Sequence, residues 1–171
     1  MQRFILLFAC IIVFIMFALQ GFQPKYIMPD VTQSAQQEDK DTSAAPEQAI
    51  TDIYFNVSVM GVEEATPERL QADFGINPDL YTGLWGKYSD GRFGAADVII
   101  MKPRLGQEQE AREALQSIKL SRMSLFKNYD IYNAYSLAEN GTIIERGDYM
   151  MLLMIENTED VLAIIENYIP R

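Results

Sequence analysis

Seven consecutive apolar residues near the C-terminus, Tyr149-Met150-Met151-Leu152-Leu153-Met154-Ile155, constrain the fold of this chain more than any other stretch. They follow Gly147-Asp148, a two-residue hairpin signature, and that turn follows the strand-like run Thr142–Arg146. A strand in a sheet wetted on one face alternates apolar and polar residues. This run does not alternate, and neither does Val98-Ile99-Ile100-Met101. Both strands are therefore expected to be central and covered on both faces. Either helices lie on both sides of the sheet, or a partner covers one side.

The remaining elements follow from periodicity and punctuation. Thr66-Pro67-Glu68 supplies an N-cap, a proline at the first helical position and an early acid, so a helix runs to Phe74 and stops at Gly75. Ala111, Ala114, Leu115, Ile118 and Leu125 recur at helical spacing and predict a long helix over 107–126. An opening helix is expected over 49–60, although Ile53, Tyr54, Phe55 and Val57 also suit a strand; strands follow over 80–88 and 95–102, and a break or short helix over 129–137. Strands over 142–146 and 149–155 and a final helix ending at Tyr168 complete the order α-α-β-β-α-β-β-α. The fold class is α+β: a mainly antiparallel sheet of about four strands with packed helices.

Ahead of this domain (49–171) stand two segments of different character. Arg3 precedes an unbroken apolar run from Phe4 to Leu19, and Gln20-Gly21-Phe22 extends it. Residues 4–22 in a helix reach about 28 Å, close to the hydrocarbon thickness of a bilayer. The positive start and the acidic bulk beyond predict a signal anchor at 1–22 with a cytoplasmic N-terminus and the domain outside. Ala18-Leu19-Gln20 is a poor cleavage site. Residues 23–48, rich in Gln, Ser, Asp and Pro, read as a flexible linker.

Composition narrows the chemistry. The chain of 171 residues has 14 Lys plus Arg against 24 Asp plus Glu, a net charge of −10. That balance argues against nucleic acid, whose binding neutralises phosphates with Lys and Arg. The absence of His removes the usual general base and the commonest metal ligand. The single Cys, Cys10, excludes an intrachain disulfide. No cofactor and no metal are expected.

The helix, hairpin and final helix carry a family resemblance. Three stretches match its pattern: Phe74-Gly75-Ile76 through Tyr81 with the strand Ala96–Lys102, the helix ending Leu125-Phe126-Lys127-Asn128-Tyr129, and Gly147-Asp148-Tyr149 leading into the last strand and helix. Over about Glu68 to Ile169 the chain resembles the Domain of Unknown Function 4358 family. Its members are small extracytoplasmic proteins of Gram-positive bacteria, often lipoproteins or membrane-anchored. Two details bear on the likeness. Family members typically carry a lipobox cysteine, whereas Cys10 lies inside the apolar run. The strand before the long helix often has an acid ahead of its apolar residues, a role that falls to Asp97 here. The resemblance implies location and fold, not activity.

Several residues are candidates for a ligand site. Tyr81, Trp85, Tyr88 and Phe93 cluster within a short span and can stack on a sugar or peptide, or else pack in the core. Tyr81 and Trp85, four residues apart in a strand, are expected on one face. Asp97 offers a carboxylate at a strand start, facing a pocket or merely ending a loop. Lys102 and Arg104, with Arg92 ahead of the strand, form an anion site or a solvated rim. Met150, Met151 and Met154 offer an adaptable partner contact if the strand is not fully covered. Glu156, Glu159 and Asp160 read as helix-start acids rather than a calcium loop. The expected function is a membrane-tethered binding module that contacts an envelope protein or wall polymer. The alternative is a cell-wall hydrolase working with two carboxylates. The expected partners are the lipid bilayer, through residues 4–22, and that envelope component.

Overall fold

A computed structural model describes residues 44–171. The apolar run and nearly all of the linker lie outside the described residues. Among the described residues, no helix is long and apolar enough to cross a membrane.

The chain runs α1 (Pro46–Asn56), β1 (Val62–Glu64), α2 (Pro67–Phe74), a 3-10 turn (Pro78–Leu80), β2 (Tyr81–Ser89) and β3 (Asp97–Pro103). It continues through α3 (Glu108–Phe126), α4 (Ala134–Glu139), β4 (Thr142–Arg146), β5 (Tyr149–Met154) and α5 (Thr158–Tyr168). The five strands form one antiparallel sheet in the order β1-β2-β3-β5-β4. The two non-alternating strands, β3 and β5, sit side by side inside it.

Both of their faces are covered by helices of the same chain. On one face Ile99, Met101, Met150, Leu152 and Met154 pack with Leu70 of α2, with Ala111, Leu115, Ile118 and Phe126 of α3, and with Ala134 and Ala138 of α4. On the other, Val98, Ile100, Met151 and Leu153 meet Ala49, Ile50 and Ile53 of α1 and Val161 and Ile165 of α5. Burying both faces of the central strands removes any need for alternation.

Local signals placed most ends. The Thr66 hydroxyl accepts from the Arg69 N–H at 3.3 Å, and Gly75 ends α2 in the left-handed region at φ 72°. Gly147 turns the β4–β5 hairpin at φ 56°, with Arg146 paired to Tyr149. Three expectations shift. The first helix starts at Pro46, a favoured first-turn proline, so Pro46-Glu47-Gln48 belong to the domain rather than the linker. Its end comes at Asn56, where Val57 turns extended. β1 is a fifth strand of three residues, too short to announce itself by alternation. In α3, Leu125 is exposed, and the buried stripe runs instead through Arg122 and Phe126.

Candidate functional site

The structure disperses most of the sequence candidates, and a bulge in β2 separates Tyr81 from Trp85. Tyr81 lies opposite Pro103 and Gly83 opposite Lys102, so two steps along β2 answer one step along β3. The extra residue reverses side-chain parity. Tyr81 and Trp85 therefore point to opposite faces, not one: Tyr81 joins the α3 side and Trp85 the α1 side.

Tyr81, Tyr88 and Asp97 are core residues. Tyr81 is buried and its hydroxyl has no partner; burial first, and the nearby Glu68 carboxylate second, push its pKa up. The Tyr88 hydroxyl donates to Asp73 and accepts from Arg69 Nε at 3.2 Å. Its ring meets Phe74 edge-on at 5.5 Å. Burial and the Asp73 contact raise its pKa. Asp97 faces no pocket. It accepts from Arg122 Nε at 2.6 Å, from Arg122 Nη2 at 3.1 Å and from the Ser89 N–H at 2.8 Å. The guanidinium also donates to Ser89 O and lies near the rings of Phe74, Tyr88 and Phe126. This buried node ties α3 to β2 and β3.

The methionines are core residues. Met150 and Met154 are buried on the α3 side and Met151 on the α1 side. Helices on both faces enclose Met151 and Met154 fully, while Met150, 4% exposed, reaches the wall of a cleft beside the β4–β5 hairpin. Nor do the basic residues converge. Arg92 pairs with Asp90 before β3, whereas Arg104, beyond its far end, donates to Asp79 O at 2.7 Å. Glu159 and Asp160 occupy the first turn of α5. Among the described residues, no cluster of three or more carboxylate or thiol groups could hold a metal ion.

Trp85 and Lys102 do come together, around a residue the sequence reading passed over. Met101 pairs with Met150, so the next residues, Lys102 and Tyr149, lie side by side on the α1 face. Lys102 Nζ sits 5.4 Å from the Tyr149 ring centre and 3.4 Å from Asp148 Oδ2. The Tyr149 and Trp85 rings are 5.9 Å apart, tilted by 56°. A cleft of about 470 Å³ opens beside Tyr149, between Lys102–Pro103, Glu108 and the hairpin turn. A second, of about 480 Å³, opens beside Trp85 under the first turn of α1. Tyr149 reads in sequence as the first residue of a buried strand. Its signal was the hairpin register, which sets it beside Lys102 at the strand's exposed end.

A third surface lies at the opposite end of β3. Met60, Phe93 and Tyr132, all exposed, line an apolar groove of about 310 Å³. Tyr132 and its neighbour Asn133 both hold positive φ there.

These features define a three-layer α+β domain with an aromatic and ionic surface at one end of its sheet. The chain belongs to the family Domain of unknown function (DUF4358), whose model matches residues 56–155. The match spans β1 to β5 and leaves α5 and nearly all of α1 outside it. No curated protein and no solved structure matches the chain.

Proposed function

We propose that this protein is a membrane-tethered, extracytoplasmic binding module that engages another component of the cell envelope. The observation that carries the reading is the Trp85–Tyr149 pair, half-buried between two clefts of ligand size beside the Lys102–Asp148 ion pair. Aromatic faces ringed by a few polar groups are what small binding sites use. The apolar run 4–22 supports the tether, with the N-terminus inside and the domain outside. A photo-reactive residue in place of Leu105, which lines the hairpin cleft, tests this in intact cells; Leu120 on α3 serves as control. A specific envelope adduct at position 105 and none at 120 is expected. Identical capture at both positions, or none at either, overturns the reading.

A carboxylate-dependent wall hydrolase is the second reading. Glu108, Glu145 and Asp148 line the same cleft, and a glycosidase needs only two such groups. Dye release from labelled wall polymer, abolished by Glu108→Gln, would favour it.

A further inference from the structure

We infer that the ligand is a neutral polysaccharide strand lying across Trp85 and Tyr149, with sugar units on both sides of the pair. This rests on the binding-module reading and names its ligand class. Trp85 lines one cleft and Tyr149 the other, and their rings are 5.9 Å apart. An extended ligand spanning both suits that geometry better than a compact one.

The platform is preorganised. A Cβ at Gly83 would collide with the six-membered ring of Trp85, so the indole rests on bare backbone. One ring face is held against the sheet and little rotamer freedom is left to lose on binding. A pyranose presents a C–H face to such a ring and hydroxyls at its rim, which need donors and acceptors in alternation. Both flanks provide them as ion pairs: Lys102 with Asp148 at 3.4 Å, and Lys87 with Glu64 at 2.9 Å. Each pair is already neutralised, which favours hydroxyls over a charged ligand. A peptide held by its main chain is disfavoured at the Tyr149 half. β3 and β5 have neighbours on both sides, so their backbone groups are spent in the ladder.

Trp85 is the sole tryptophan, so its emission reports this site alone. The test titrates the full-length protein in detergent micelles with β-1,4-linked N-acetylglucosamine oligomers, dimer against hexamer. A shifted emission is expected, with the hexamer binding at least about ten-fold tighter, the scale of one added aromatic contact. Trp85→Ala should lose about that factor by calorimetry. If that variant does not fold, Lys102→Ala and Trp85→Phe decide, the first weakening binding and the second largely keeping it. No binding of any oligomer overturns the polysaccharide class. If sugar-free wall peptides shift Trp85 instead, the class falls and the binding module stands. If neither binds and Leu105 captures nothing, both fall.

Discussion

Arg122 of α3 and Asp97 of β3 meet through two hydrogen bonds, 2.6 and 3.1 Å, with both side chains buried. A buried charge is tolerable only while its partner is present. Asp97→Ala strands a guanidinium in the core and should cost about 3–5 kcal/mol in denaturant unfolding. Pairing Asp97→Leu with Arg122→Met removes both charges and should recover much of that loss. A single-variant cost below about 1 kcal/mol would show that the node is not the tie between α3 and the sheet.

Tyr54 of α1 is a second tie. Its hydroxyl lies 2.9 Å from Lys87 O and 2.8 Å from Ala96 O, so its one proton serves either carbonyl, and it accepts from the Val98 N–H at 3.2 Å. Tyr54→Phe should cost about 1–3 kcal/mol at neutral pH, since buried backbone groups lose their partner. Burial first, and the Asp97 carboxylate second, push the phenol above its ordinary value of 10.0. The folded state thus keeps a proton that the unfolded state gives up. This contribution to stability is whole below pH 10 and falls as pH climbs toward the raised folded value, by at most about 1.4 kcal/mol per pH unit. The difference between wild type and Tyr54→Phe should therefore shrink above pH 10. A constant difference up to about pH 11.5 would refute the assignment.

Met151→Lys and Leu105→Lys separate core from surface. Met151 has no exposure and Leu105 is 98% exposed. The first substitution should unfold the domain, because a lysine there is buried without a partner. The second should stay within about 0.5 kcal/mol of wild type. A folded Met151→Lys domain with an unchanged melting temperature would mean that one sheet face is open.

Two glycines should respond differently to alanine. Gly75 stands in open space at φ 72°, so Gly75→Ala meets only backbone strain, about 1 kcal/mol. At Gly86 a Cβ would run into Val98 O and the Ile99 Cα of the adjacent strand. Gly86→Ala must push β2 from β3 and should cost more, about 2–3 kcal/mol. Thermal melts of the two variants side by side check the order.

Periodicity and punctuation along the sequence were enough to determine the centre of the sheet, the burial of both its faces and most element ends. Unbroken apolar runs marked β3 and β5, and Thr66, Gly75 and Gly147-Asp148 marked caps and turn. Those signals are local: they act within a turn of helix or across one hairpin. The tertiary structure decided the rest. A single extra residue at the start of β2 sent Tyr81 and Trp85 to opposite faces, a parity change that depends on pairing with β3. Arg122 is a core residue only because Asp97, 25 positions away, neutralises it there. Tyr149 and Trp85 meet across β3, from strands that tertiary pairing places on either side of it. Each of these outcomes rests on contacts between residues distant in the chain, which no local pattern encodes.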